Sequence, residues 1–412
     1  MSHYKPYPAY RESGVDWIGQ VPEHWKKMPF KRVASICNGH DYKEVENADG
    51  AYPVIGSGGE FARASAFMFN GESVLLGRKG TIDKPLYING PFWAVDTMFY
   101  TKIADNAFPK FVYYNALTIP FGLYSTNTAL PSMAGEDLSS HVIAAPDFEE
   151  QKAIATGVDR ETTRIDALIT KKTRFIELLK EKRHALIDHA VTKGLNSEAP
   201  IRNSGVEWLG EIPAHWEVRR MASIFREAIR PGDQSLPILS ISIHDGIIDE
   251  EVAAEDRDRR VSQIEDRTKY KRVAPNDLAY NMMRAWQGAF GAVTVDGLVS
   301  PAYVVAEPMI EFRTAYIENL LRTPMAIEEM RRYSRGIADF RMRLYWDYFR
   351  DLKVCLPPLE EQDKILDMIT RETSRIDRLT EKTQRSIDLL KERRAAFITA
   401  AVTGQIDLRE SA

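Results

Sequence analysis

Ser13-Gly14-Val15-Asp16-Trp17-Ile18-Gly19-Gln20-Val21-Pro22-Glu23-His24-Trp25 returns 191 residues later as Ser204-Gly205-Val206-Glu207-Trp208-Leu209-Gly210-Glu211-Ile212-Pro213-Ala214-His215-Trp216. A second block opens at Pro146-Asp147-Phe148-Glu149-Glu150-Gln151 and returns 211 residues later as Pro357-Pro358-Leu359-Glu360-Glu361-Gln362. It runs on to Ala190-Val191-Thr192 in one copy and Ala401-Val402-Thr403 in the other. Self-similarity at this scale means one structural unit built twice. The offsets differ by 20 residues, so the stretch between the blocks is longer in the second copy. Two similar frames carry different inserts.

The second block reads as a long helix. In each copy a proline precedes it, two glutamates occupy its first turn, where the positive end of the helix dipole favours them, and no proline interrupts it. Val158, Ile165, Lys172, Leu179 and Leu186 fall seven apart, with Ile169 and Ile176 in a neighbouring column. Ile369, Ile376, Thr383, Leu390 and Phe397 repeat the pattern. A lone helix of roughly 40 residues would run about 60 Å with an apolar stripe facing water. The economical cover is the other copy. Antiparallel pairing would then put a globular unit at each end of a rod, with an approximate two-fold axis.

Between the blocks, Ser73-Val74-Leu75-Leu76, Ala292-Val293-Thr294-Val295 and Ala302-Tyr303-Val304-Val305 predict strands, and Tyr316 to Tyr333 predicts a short helix. The expected fold is α+β: two globular α+β domains separated by two long antiparallel helices that form an intramolecular coiled coil, pseudo-two-fold symmetric. The boundaries fall at 1–145 for the first globular domain, 146–192 for the first helix, 193–356 for a linker and the second domain, 357–403 for the second helix and 404–412 for a tail.

Composition narrows the function classes. A chain of 412 residues can bury two or three cores, and no apolar run is long enough to cross a bilayer. Met1 to Pro8 lacks the apolar core of a signal peptide, so a cytoplasmic location is expected. Cys37 and Cys355 are far apart and belong to no metal-ligand spacing, which reads as two reduced, buried thiols. With net charge −4, a nucleic-acid surface would have to come from local segregation of charge.

No adenine-methyltransferase tetrapeptide, glycine-rich cofactor loop or phosphate-binding GxxxxGK[ST] loop is present, nor HExxH, zinc spacing or G-x-S-x-G. Pro146-Asp147-Phe148-Glu149-Glu150-Gln151-Lys152 contains the letters of a PD…ExK nuclease signature. Its acidic residues sit too close together at a helix start, and the second copy has Asp363 in place of Lys152. No catalytic residue, metal or nucleotide site is expected.

The WxGxxPxHW segments at Trp17 to Trp25 and Trp208 to Trp216, with the PPLEEQ-like helix starts and their order, resemble the specificity subunits of type I restriction-modification systems. The resemblance covers nearly the whole chain. It implies two target-recognition domains, each reading one half of a bipartite DNA target, and long helices that set the spacing and dock partners. Those partners would be double-stranded DNA, two modification subunits that methylate adenine from S-adenosylmethionine, and motor-nuclease restriction subunits. S-adenosylmethionine, ATP and Mg would then belong to the partners and no cofactor to this chain. Asn281-Met282-Met283-Arg284-Ala285-Trp286-Gln287-Gly288-Ala289-Phe290-Gly291, followed by Val299-Ser300-Pro301-Ala302-Tyr303, resembles a common version of such a recognition domain. The first domain offers Leu76-Gly77-Arg78-Lys79-Gly80-Thr81 at the comparable place.

Seven residues are candidates for DNA contact: Arg78, Lys79, Asn127, Arg284, Gln287, Arg341 and Arg343. Arg78 and Lys79 stand between glycines that let the backbone approach a phosphate or groove edge, and Arg78 could take guanine bidentately. The same letters also describe an ordinary solvated turn. Arg284 and Gln287 flank Trp286, either as a cation and an adenine-pairing amide or as cover for a core ring. Asn127, Arg341 and Arg343 belong to the stretches ahead of the long helices, which in the family often lie at the DNA; each is equally readable as a turn or salt-bridge residue.

The mixed charges of Glu255 to Arg260 and Glu265 to Arg272 read as a solvated face. Lys171 to Arg174 and Lys391 to Arg394 could bind modification subunits or face water. The paired tryptophans and histidines of the repeated segment read as packing that anchors each domain to a helix. Two rival functions stand beside recognition. A protein scaffold would not bind duplex DNA in a sequence- and salt-dependent way, and an enzyme with drifted motifs would act without partners.

Overall fold

The computed structural model describes residues 4–126, 131–242, 246–248, 266–335 and 342–409. The chain forms two compact units, Met1–Thr173 with Gln384–Ala412, and Arg174–Thr383. The long helices, Phe148–Lys193 and Leu359–Val402, are each shared between units. At 1.5 Å per residue they measure about 65–70 Å.

Each unit is built on the same frame, and the repeated residues make it. A short hairpin comes first: Tyr10–Glu12 with Gln20–Pro22, and Ile201–Asn203 with Glu211–Pro213. Next, Lys26–Pro29 pairs with Val142–Ala145, and Glu217–Arg220 with Lys353–Leu356, so the strand leaving the hairpin is tied to the one entering the long helix. Trp25 and Trp216 are fully buried behind these pairs. The indole N–H of Trp17 donates to the Val142 carbonyl at 3.1 Å and that of Trp208 to Lys353 at 3.2 Å. The aromatic repeat is therefore packing, as the sequence indicates.

The helix starts repeat in the same detail. His24 meets Glu150 at 2.9 Å and His215 meets Glu361 at 2.7 Å. Gln151 accepts from the Phe108 N–H at 2.9 Å and Gln362 from Arg313 at 2.8 Å. Asp147 Oδ1 accepts from the Glu150 N–H at 3.0 Å, an N-cap bond for an otherwise orphaned donor. The letters that mimic a nuclease signature thus have structural duties. Asp363 forks onto Arg313 at 2.6 and 3.0 Å, which holds its carboxyl below the usual carboxylate range.

Within the first unit the long helices run antiparallel: Glu161 pairs with Arg393 at 3.0 Å and Asp166 with Arg394 at 2.9 Å, while Ile154, Ala155 and Val158 share a core with Phe397, Ile398 and Val402. In the second unit Arg183 approaches Asp377 at 3.8 Å, and Ala190 and Val191 share a core with Ile365 and Ile369. Val158, Ile165, Ile176, Leu179, Ile369, Ile376, Thr383 and Phe397 are all buried, so the heptad columns face the seam. The cations of Lys391 to Arg394 are partly spent on it. The residues after the second helix are no loose tail: Ile406 and Leu408 are buried, and the Asp407 N–H donates to the Lys5 carbonyl at 2.9 Å.

The inserts form α+β bodies. In the first unit the sheet order is Ala34–Asn38, Met98–Ile103, Phe69–Gly77, Leu86–Ala94, Tyr52–Gly56, Gly59–Ala64, antiparallel apart from one parallel pair, Tyr52–Gly56 with Leu86–Ala94. The second unit keeps the first four positions as Phe225–Glu227, Tyr303–Pro308, Leu278–Asn281 and Phe290–Ala292. The two added strands therefore belong to the shorter insert.

Two local expectations are corrected. The strand expected over Ala292 to Val295 ends at Ala292; the Val293 N–H donates to the Asp277 carbonyl and its carbonyl accepts from the Asn276 N–H, both at 2.8 Å. The helix expected over Tyr316 to Tyr333 is two helices, Thr314–Leu321 and Pro324–Tyr333. Pro324 has no N–H to continue the first, and Thr323 caps the second by accepting from Ala326 at 3.3 Å. Cys355 is fully buried beside Tyr316, and burial pushes its thiol up to about 12, which keeps it protonated and inert.

Candidate nucleic-acid interface

In both units the central strand of the sheet ends in a turn that is clamped to the segment leading into the last short helix. In the first unit the strand Phe69–Gly77 runs into Arg78-Lys79-Gly80. The Arg78 and Lys79 N–H groups both donate to the Thr97 carbonyl, at 2.8 and 3.1 Å. The Met133 N–H returns to the Arg78 carbonyl at 3.0 Å, Gly80 N–H donates to Pro131 at 2.9 Å, and Lys79 bridges Ser132. A side chain at Gly77 would lie 2.3 Å from the Thr81 carbonyl oxygen, so only glycine lets the turn double back this tightly.

The second unit repeats the clamp. Sheet register sets Asn281 opposite Tyr303 as Gly77 is set opposite Met98. The next residue, Met282, accepts from the Leu344 N–H at 2.9 Å, the counterpart of the bond from Met133 to Arg78. Both feeding segments are closed at their base. Thr126 and Ser132 join through a backbone bond of 3.0 Å and their hydroxyls, also at 3.0 Å, whereas Arg335 and Arg343 exchange backbone bonds at 3.0 and 2.9 Å.

Five of the seven candidate residues can be placed on this frame; Asn127 and Arg341 lie outside the described residues, as does the Glu255 to Arg260 stretch. Arg78 is half-buried, with its guanidinium 5.8 Å from the Phe99 ring centre and one nitrogen 3.3 Å from the Asp96 carbonyl. It lines an open cleft with Asn38, Tyr124, Thr126 and Asp137. Lys79, Arg284 and Arg343 are exposed and form no ion pair among the described residues. Arg284 and Arg343 thus stand on the two clamped segments of the second unit, and Arg78 and Lys79 on the turn of the first. Gln287 is exposed but lines a different cavity, with Arg183 and Asp188 of the first long helix.

Trp286 settles between its two readings. It is half-buried, its N–H donates to the Met283 carbonyl at 2.9 Å, and the cation over its face is Arg331, at 5.2 Å, not Arg284. Arg331, not Arg284, therefore covers the ring. Three further residues stand beside these segments and are not among the seven candidates, although Arg335 and Tyr124 lie in the stretches ahead of the long helices. Arg331 on the helix Pro324–Tyr333 and Arg335 just beyond it, the latter 4.9 Å over Tyr348, carry cations there. Tyr124 meets the His141 imidazole at 2.9 Å. Burial pushes His141 down to about 4, so the ring is neutral at physiological pH. Among the described residues no three His, Cys, Asp or Glu side chains are grouped to hold a metal ion, and no helix is long and apolar enough to cross a membrane.

Residues 22–178 match the family described as the type I restriction modification DNA specificity domain. The chain is 20% identical, over 96% of its length and 89% of the relative's, to the type I restriction enzyme EcoBI specificity subunit of Escherichia coli. Its fold is similar to that of a chain solved in work on complex assembly and conformational transition of the type I R-M system, at TM-score 0.66 and 12% identity, covering 94% of this chain and 99% of that one. It is also similar to the HsdS subunit from Thermoanaerobacter tengcongensis, at TM-score 0.50 and 13% identity, covering 96% and 100%. The twice-built frame, the clamped cationic turns and these likenesses agree: residues 22–178 match the type I restriction modification DNA specificity domain, and over nearly its whole length the chain is similar to a specificity subunit of such a system.

Proposed function

We propose that each unit reads one half of a bipartite DNA target through its clamped pair of segments, and that the two long helices fix the distance between the halves. The observation that supports this reading is three exposed cations that form no ion pair among the described residues, Lys79 in one unit and Arg284 and Arg343 in the other, on segments tied by equivalent backbone bonds. Backbone-clamped segments with exposed cations suit phosphate and base-edge contacts, because little order is lost when they bind. Arg78 and Arg284 are assigned to base edges, Lys79 and Arg343 to phosphates, with Asn127, Gln287 and Arg341 as further contacts. The two inserts differ in sheet and side chains, so the half-sites differ. The helices also dock two modification subunits and, through them, the restriction subunits, in the cytoplasm. S-adenosylmethionine, ATP and Mg enter with those partners.

The test is base-resolved mapping of adenine methylation in cells expressing this chain with its neighbouring modification subunit, against that subunit alone. Methylation at one split motif, present only with the chain, is the expected result. A methylome indifferent to the chain overturns recognition in favour of a scaffold.

A further inference from the structure

The segment Phe121 to Thr126 feeds the clamp of the first unit, and one side chain ties it to the repeated frame. The Tyr124 hydroxyl lies 2.9 Å from His141 Nδ1, with the rings edge to face at 89°. On its other side His141 stacks on Trp17, at 5.1 Å between ring centres and 17° between planes, and Trp17 is itself anchored to the Val142 carbonyl. His141 is 3% exposed and its backbone closes the turn around it, its carbonyl accepting from Phe30 N–H at 2.7 Å. Tyr124 in turn lines the cleft of Arg78, Thr126 and Ser132. Among the described residues the second unit shows no such link: the position equivalent to His141 is Leu352, fully buried, and Arg335 lies over Tyr348 instead.

We infer that His141 is a positioning residue for DNA reading by the first unit alone, acting through the Tyr124 hydroxyl to hold the 121–126 segment against the Arg78 turn. The inference rests on the reading of that turn as a DNA face. A buried neutral imidazole can offer Nδ1 as an acceptor, and burial holds this one neutral far below physiological pH. Losing the bond leaves frame and helices intact but frees Tyr124 to swing, so the expected loss is of discrimination rather than of assembly.

Two substitutions separate the bond from the ring. His141→Phe keeps the stack on Trp17 and removes the acceptor; His141→Asn removes the ring and keeps an oxygen near the place of Nδ1. Tyr124→Phe breaks the same bond from the other end. Each variant is co-expressed with the modification subunit, and methylation is scored at sites carrying one altered base in either half of the motif, with Arg78→Ala for reference. Tyr124→Phe and His141→Phe are expected to raise methylation at near-cognate sites about 3- to 10-fold, the factor of one hydrogen bond. The rise should fall only in the half that Arg78→Ala relaxes, with His141→Asn close to wild type.

If His141→Asn relaxes the motif while His141→Phe does not, the residue acts by packing and the inference fails. Equal relaxation in both halves also overturns it. Arg78→Ala active with both bond-breaking variants silent overturns the inference alone, whereas Arg78→Ala silent in both halves removes the reading beneath it.

Discussion

Glu150 shows how a repeated letter acquires a fixed duty. Its carboxylate is 7% exposed, accepts from the Trp25 indole N–H at 2.9 Å and meets His24 at 2.9 Å. Its counterpart Glu361 meets His215 but is more exposed, and the buried Trp216 N–H has no partner among the described residues. Glu150→Ala should therefore cost about 2–3 kcal/mol by stranding a buried donor, and Glu361→Ala about 1 kcal/mol, in chemical denaturation followed by tryptophan fluorescence. Equal losses would mean that the indole bond contributes nothing.

His141 gives a pH prediction with a definite sign. Its folded pKa, about 4, lies below the ordinary 6.5, so the unfolded chain takes up a proton first as pH falls. Its contribution is complete above pH 6.5 and is lost progressively down to about pH 4. Between pH 7 and 4.5 wild type should lose roughly 2–3 kcal/mol that His141→Asn does not. Parallel losses in the two proteins would refute this. The histidine was invisible as a candidate in the sequence, because nothing local to position 141 announces a partner at 124 or a ring at 17.

At the scale of elements, the long helices were the most legible feature, because a seven-residue apolar spacing sustained over many turns matches the period of a helix and not the two-residue period of a strand. Lys172 and Thr383 break the apolar columns without breaking the helices, and the Thr383 hydroxyl is satisfied by the Leu379 carbonyl at 2.7 Å. Both helices stop at a glycine in the left-handed region, Gly194 at φ +76° and Gly404 at φ +76°. Their surroundings differ. A methyl group at Gly404 would lie 2.3 Å from Pro22 Cδ, whereas at Gly194 the nearest atom is the flexible Glu361 Oε1 at 3.0 Å. Gly404→Ala should cost about 3 kcal/mol and Gly194→Ala about 1–2 kcal/mol, read as shifts in the unfolding midpoint. The misread elements were short and depended on neighbours: the 316–333 pattern kept its helical period across Pro324, and the run at 292–295 had strand-forming residues, but its strand ends at Ala292, where Val293 bonds to the turn at Asn276 and Asp277.

For the whole molecule, the proposed ruler makes a numerical claim. Seven residues added to both long helices at matched heptad positions lengthen the pair by about 10 Å, close to 3 base pairs at 3.4 Å each. The methylated motif should keep both half-sites and lengthen its spacer by about that much; an unchanged spacer in an active variant would remove the helices from that role. The sequence by itself determined the architecture, because a chain that repeats its tryptophan, histidine and glutamate positions in register must repeat the contacts they make, and a heptad stripe must be covered. The resemblance to specificity subunits was legible for the same reason. Tertiary structure alone decided where the proposed reading face lies. Arg78 meets Met133, and Met282 meets Leu344, through backbone bonds that leave no trace in side-chain patterns. Only the folded sheet register makes those turns equivalent, frees Arg284 from Trp286 by supplying Arg331 instead, and turns Gln287 to a separate cavity. Local periodicity reports which residues must be buried, while contacts across 50 or more residues depend on where the backbone returns.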